Sequence, residues 1–308
     1  MKVGVNILNF GRGTDPQSIL SRARIAESMG FHSAMISDHI ALTTDVRARY
    51  PEPFYDCFTT LSWLAGQTSR IELGTTVCVL PYRHPVEVAR LAANIDQFSG
   101  GRFIFGVGVG GNGQEFGVLG VPRERRGAIT NEYLEIIHAL WTEQEVTYHG
   151  RFVQLDDVAG IQAHVDGDRL HPPVWVGGRS DAALTRAIRF GADWHPNRMT
   201  PGWLRDTGLP RLQELTTQLG GREPALCPRV QIEITEQTVD SDDRILGVGT
   251  LEQVREDFAL LERLGAEHVL LDWYVHSDPA TVQSDEQAWR QLALVAEQVV
   301  DLQQQAVR

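Results

Sequence analysis

The stretch 70-RIELGTTVCVLPYRHPVEVARLAANIDQFSGGRFIFGVGVGG-111 contains one complete strand–helix–strand unit. Residues 71–80 are an apolar run that reads as a strand. Pro85 opens a helix, where a missing N–H costs nothing, and the helix runs to Phe98. Ser99, Gly100 and Gly101 break it, and residues 102–109 form the next strand. Two strands joined through a helix lie parallel, because the crossover returns the chain to the same edge.

The same beat extends in both directions. Upstream, residues 3–8 read as a strand, followed by a loop with Asp15 as N-cap and Pro16 as the first residue of a helix that stops at Gly30. A strand at 33–37, the long loop 41-ALTTDVRARYPEPF-54 and a helix at 56–67 follow. Downstream, residues 110–170 make a longer return that reads as an insertion. It holds a Gly-rich loop, a helix at 123–141 and the hairpin 145-EVTYHGRFVQL-155, turning at His149 and Gly150. The beat resumes with strands at 174–176, 192–195, 229–235 and 268–272, and helices at 180–190, 201–219, 250–264 and 285–304. Eight beats favour an α/β fold closed into a (β/α)8 barrel, or TIM barrel, with an insertion after strand 4. An open doubly wound sheet would more naturally use five or six strands. The 308 residues fit one such barrel domain, 1–308.

Composition narrows the class. A hydrophobic share of 42% and a charged share of 22% are those of a globular protein. The net charge of -12 opposes binding to nucleic acid, whose phosphates need a basic surface, and offers no polybasic patch to a membrane. The start, MKVGVNILNF, lacks the apolar core of a signal peptide, so a cytoplasmic location is expected. Cys57, Cys78 and Cys227 are too scattered for a disulfide framework or a cysteine metal site. His164, Asp166, Asp168 and His171 form a cluster in a polar loop, which reads as solvated; no metal is expected.

In such barrels chemistry gathers at the C-terminal strand ends. Polar residues converge there: Asn6 and Asn9 after strand 1; Ser37, Asp38 and His39 after strand 2; Thr75 and Thr76 within strand 3; Asp193, Trp194 and His195 on strand 6. In 174-VWVGGRSDAALTRAIRF-190 a strand ends in Gly177 and Gly178 and a helix begins near Ser180, which suits an anion. The glycines Gly106, Gly108 and Gly111 imitate a dinucleotide fingerprint, but no helix follows at once. They suit sharp turns or a flat ring close to the backbone.

The 70–111 run, the Ser-Asp-His at strand 2, the helix 132-EYLEIIHALWTE-143 with its Gly-Arg-Phe hairpin, and PPVWVGGRSDAALTRAIRFGADW together resemble the luciferase-like monooxygenase superfamily. The resemblance implies a barrel that binds a flavin or deazaflavin, usually as a homodimer, and acts on a small-molecule substrate. It also implies a non-prolyl cis peptide near Thr75, Thr76 and Val77, pressed against the ring. The Asp-His pair is similar to the coenzyme F420-dependent oxidoreductase branch. There Asp38 and His39 would be catalytic: Asp38 bonding the ring system, His39 moving a proton, since imidazole titrates near operating pH. Val176, Gly177, Gly178, Arg179 and Ser180 would hold phosphate, Gly108 and Gly110 would border the ring, and Asn6, Trp194, His195 and Glu115 would line the substrate pocket. The alternative is a reduced-FMN, two-component monooxygenase using dioxygen. Either would draw reduced cofactor from a reductase. One departure stands out. The family's sugar-phosphate dehydrogenases place a catalytic Glu where this chain has Gly111, and Glu115 substitutes only if the loop folds back. Hydride transfer involving a ketone, imine or activated alkene is therefore favoured over sugar-phosphate oxidation.

Overall fold

A computed structural model describes residues 1–111, 113–164, 169–274 and 284–308. The strands that carry the fold are β1 (Lys2–Asn6), β2 (Ser33–Ile36), β3 (Glu72–Thr75), β4 (Phe103–Gly108), β5 (Val174–Gly177), β6 (Asp193–His195), β7 (Arg229–Gln231) and β8 (His268–Asp272). The main helices are α1 (Pro16–Met29), α2 (Cys57–Ala65), α3 (Pro85–Ser99), α4 (Arg126–Thr142), α5 (Asp181–Arg189), α6 (Leu209–Leu219), α7 (Leu251–Arg263) and α8 (Asp285–Gln298). The sheet order is β7-β8-β1-β2-β3-β4-β5-β6, so sequence neighbours are sheet neighbours. β1 pairs in parallel with β2 and β8, β7 with β8, β3 with β4, and β5 with β6. This cyclic order with helical returns is that of a (β/α)8 barrel. β2, β4 and β8 are buried at every residue, as strands covered on both faces must be.

The chain forms two compact units: Met1–Ile7, Ser21–Met35 and Trp175–Arg308; and Leu8–Leu20 and Ile36–Val174. In the first, bridges Trp194–Leu226, Leu226–Ala266 and Asn197–Arg229 extend β6 towards β7. Its interior holds Trp175 between His195 and His268, at centroid distances of 5.2 and 4.9 Å, with Ser33 Oγ 2.8 Å from His268 Nε2. In the second, Trp141 of α4 donates its Nε1–H to Ala89 O at 3.0 Å and packs edge-on against Phe105, a core position as its helical spacing suggests. The strands Glu145–His149 and Gln154–Ala159 form the expected hairpin in the insertion. Buried Glu132 pins its turn by accepting the Arg151, Phe152 and Val153 N–H groups, each at 2.8 Å.

Four elements differ from expectation. The strand expected over 229–235 ends at Gln231, and Glu233–Ile234 pairs instead with Val248–Gly249. The third strand is broken: β3 stops at Thr75, the Thr76–Val77 peptide is cis, and Cys78–Val79 then pairs with β4. The helix expected over 201–219 is interrupted by a π turn at Leu204–Gly208 before α6, because Pro210 has no N–H for the regular ladder. The last helix ends at Gln298, not 304. Val299 and Val300 are buried, and Val300–Asp301 pairs antiparallel with Ala306–Val307.

Candidate active site

In the second unit, Ser37, Asp38 and His39 follow the end of β2. Asp38 is fully sealed. Its Oδ2 accepts the Val79 N–H at 2.9 Å and Arg83 Nη1 at 2.7 Å, and its Oδ1 accepts Arg83 Nη2 at 2.9 Å. This is the bidentate fork that guanidinium and carboxylate favour. Arg83 also donates to Asp56 Oδ2 at 2.7 Å and lies over the Phe58 ring at 5.2 Å. Asp56 is in turn the N-cap of α2, accepting the Thr59 N–H at 2.8 Å. Burial opposes the charge on Arg83, but Asp38 beside it drives its pKa upward on balance. Burial pushes Asp56 up, but the Thr59 N–H and Arg83 outweigh it and hold the carboxyl below its ordinary value. Asp38, Asp56 and Cys57 offer ligand atoms within 4.8 Å of one another. The cation bonded to both carboxylates is Arg83, and burial, reinforced by Asp38, keeps the Cys57 and Cys78 thiols pushed well up. The structure thus corrects the part given to Asp38: its carboxylate anchors Arg83 and the broken strand rather than facing the rim.

His39 keeps a site-like setting. The loop after β4 does fold back. Gly110 has φ +74°, and a Cβ there would lie 2.6 Å from Val79 Cγ1. The short helix Gly113–Val118 follows, with Phe116 packed on Val79 and Tyr82. Its Glu115 is wholly buried, so it lines no open pocket, contrary to expectation. Oε2 lies 2.7 Å from His39 Nδ1, and Oε1 accepts the N–H groups of Ile40 and Ala41 at 2.7 and 3.1 Å. Burial pushes Glu115 up, but the hydrogen bond and charge of His39 and the two amides outweigh it and hold the carboxyl below its ordinary value. An ionised carboxylate only accepts, so Nδ1 carries the hydrogen and Nε2 is left as the exchangeable position. Nε2 bonds to nothing among the described residues. The His39 ring lies 4.7 Å from that of Tyr50 and edge-on to Phe54 at 5.5 Å; Phe10 stacks on Phe54 at 5.3 Å.

Several other expected ring contacts prove structural. Thr75 is buried, with its hydroxyl donated to Gly106 O at 2.6 Å. A Cβ on Gly106 would lie 1.9 Å from Thr75 O, and one on Gly108 2.6 Å from Val77 Cγ2. These glycines admit the broken strand. Thr76 is buried; Val77 and Gly110 are partly exposed.

In the first unit, Ser180 caps α5, its hydroxyl facing the Ala183 N–H at 3.4 Å, and Gly178 has φ +117°. Gly177 and Gly178 are partly exposed, and the Val176 side chain is buried in the core. Arg179 is exposed, bonds Arg198 O at 2.9 Å and lies over the Trp203 ring at 5.1 Å. Asn6 is buried, donating to Asp272 Oδ1 at 2.8 Å, and Arg229 Nε meets Asp272 Oδ2 at 2.9 Å. Trp194 and His195 are both buried and, as adjacent strand residues, face opposite ways, so they do not line one open pocket together. Trp194 packs on Trp203 and donates Nε1–H to Gly178 O at 2.8 Å. His195 faces Trp175 and bonds Cys227 O at 2.5 Å; burial pushes it down to about 4, so it is neutral. Asp166 and Asp168 lie outside the described residues, and His171 stacks on Trp141 at 5.7 Å.

The partners of Arg83 and the packing of Phe10 against Tyr50 and Phe54 are not visible in the sequence, although the loop that carries Tyr50 and Phe54 reads as a lid or an ordered connection. The signal available was Tyr50 and Phe54 in one Pro-rich loop.

Known proteins fall into line with this architecture. An uncharacterized protein of Mycobacterium tuberculosis is 35% identical over 206 residues, 63% of this chain and 71% of that protein. A Nakamurella multipartita protein called F420-dependent glucose-6-phosphate dehydrogenase is 26% identical over 283 residues, 86% of this chain and 80% of its own. Among solved structures, the coenzyme F420-dependent tetrahydromethanopterin reductase of Methanopyrus kandleri superposes with a TM-score of 0.74 at 19% identity, covering 96% of this chain and 97% of that one, a likeness of fold. No helix among the described residues is long and apolar enough to cross a membrane. The sequence profile of the luciferase-like monooxygenase family matches residues 1–236, and the chain belongs to that family.

Proposed function

We propose that this oxidoreductase is coenzyme F420-dependent and transfers a hydride between the deazaflavin and a small organic substrate, a ketone, an imine or an activated alkene. The observation that carries the reading is the His39–Glu115 pair: Nδ1 held at 2.7 Å by a buried carboxylate, Nε2 unbonded. Relatives named F420-dependent enzymes support it.

The donor sets suit such a cofactor. Gly177, Gly178 and Ser180 at the start of α5 form a backbone cradle for an anion, where a Cβ on Gly178 would crowd Ala183 at 3.1 Å. We assign an anionic group to this cradle, with Arg179 beside it, and, within the second unit, ring contacts to Thr76, Val77 and Gly110 beside His39. When bound, the deazaflavin supplies a two-electron hydride donor or acceptor. His39 Nε2 gives or takes the accompanying proton, and the Glu115 carboxylate stabilises the charged imidazole. Asp38 acts through Arg83, fixing the backbone on which His39 stands. A reductase that reloads the cofactor and a homodimeric assembly belong to this reading.

The test is F420-coupled turnover, followed by deazaflavin absorbance, with wild type and His39→Ala. Loss of at least about 10²-fold in kcat with F420 affinity kept is expected of a proton-transfer group. Unchanged turnover would remove His39 from the chemistry.

A further inference from the structure

We propose that the substrate of this site is an uncharged, ring-bearing carbonyl compound or alcohol, and that phosphorylated sugars are excluded. The inference deepens the proposed function and rests on it. Two observations in the second unit carry it.

The first is the wall around His39. The loop over residues 41–54 reads from sequence either as a lid or as a fixed connection. It is pinned at its far end. Gly11 donates its N–H to both Pro51 O and Pro53 O, at 3.0 and 2.9 Å, and Tyr55 N–H bonds Asn9 O at 2.8 Å. The Asn9 amide clamps Ser37 O and Tyr55 O at 2.9 and 2.6 Å, tying the loop to the residue before Asp38. Val46 is fully buried beneath it. Tyr50 and Phe54 therefore hold fixed, partly exposed faces beside the imidazole, backed by Phe10. Rigid aromatic walls favour flat or cyclic apolar groups and need no ordering on binding.

The second is charge. Asp38, Asp56 and Glu115 are bonded within this cluster, and Asp45 accepts the N–H of Gln114, beside Glu115. Against these carboxylates the cluster sets Arg83, which is 8% exposed and engaged by Asp38 and Asp56. A phosphate dianion next to His39 would lie close to the Glu115 carboxylate with Arg83 already engaged, whereas a ketone or alcohol brings no charge to be repelled. The chain therefore departs from its relative named a glucose-6-phosphate dehydrogenase.

The experiment is calorimetric binding of acetophenone and of glucose 6-phosphate to the full chain, alone and with F420, together with F420-coupled turnover of both. Acetophenone should bind at least about tenfold tighter than glucose 6-phosphate in either state, and Tyr50→Ala or Phe54→Ala should each erode that preference by about tenfold. Phe54→Leu, which keeps apolar volume, guards against loss of fold and should weaken acetophenone about threefold. Glucose 6-phosphate binding as tightly as acetophenone, or acetophenone affinity unmoved by all three variants, overturns the proposal. Because binding to the chain alone is read separately, a protein that ignores F420 but prefers acetophenone would refute the cofactor and leave the wall standing.

Discussion

Replacing Glu115 with Gln probes the pair at its most sensitive point. The carboxylate accepts from three donors: His39 Nδ1 on Oε2, and the Ile40 and Ala41 N–H groups on Oε1. Glutamine keeps one oxygen. If its NH2 faced the two backbone amides, two buried donors would go unpaired, at roughly 1–3 kcal/mol each. Turning the NH2 towards His39 avoids that cost, but Nδ1 must then accept. The hydrogen moves to Nε2, and the group meant to take a proton becomes a donor. Inverting a catalytic imidazole's tautomer in this way costs on the order of 10²- to 10⁴-fold in kcat. F420-coupled turnover measures it, and nitrogen NMR of labelled histidine reads the tautomer directly. F420 affinity should stay within about twofold, because Glu115 is sealed from any ligand. A Gln variant retaining kcat within about threefold, or an unaltered tautomer, would refute the reasoning.

Other outcomes follow from the same geometry. Arg83→Met should cost roughly 3–5 kcal/mol in chemical denaturation, since it strands the sealed Asp38 without its partner; a loss below about 1 kcal/mol would show the pair to be dispensable. Gly106→Ala should destabilise by about 3 kcal/mol or more, read as a fall in Tm, because its Cβ would sit 1.9 Å from the Thr75 carbonyl. His195 is held down to about 4 by burial, so the unfolded chain binds its proton first as pH falls; stability should decline from about pH 6.5 to about 4, by up to roughly 3 kcal/mol, and His195→Gln should flatten that slope. Glu115 is lowered in the fold, so its contribution is present above the ordinary glutamate range and disappears as pH drops through the lowered value; wild type and Glu115→Gln should converge in stability at the acid end.

What the sequence disclosed tracks how local each cause is. Caps and periodicity are local, so α5 behind Ser180, α7 behind Thr250 and β8 lie where their residues imply. Pro210 was an equally local signal for the π turn. The end of α8 was harder, because Val299 and Val300 choose strand over helix only through burial and pairing. At the site, His39 was legible as a polar residue at a strand end. The partner of Arg83 was not: the residue reads either as a surface residue at a helix start or, by resemblance, as one near the dimer or cofactor edge, and only the fold brings it to Asp38. The return of Glu115 depends on Gly110 at positive φ and on Phe116 packing beside Tyr82, neither of which periodicity reveals. Strand alternation alone forbids Trp194 and His195 from sharing one pocket, a constraint available from the first.

The most direct test of the central claim is a side-by-side fluorescence titration of the protein with coenzyme F420 and with FMN. F420 should bind at least about tenfold tighter than FMN, and the bound deazaflavin should exchange hydride with a neutral ketone or alcohol. Tighter binding of FMN, with turnover that consumes dioxygen, would contradict that claim and make the protein an oxygenase.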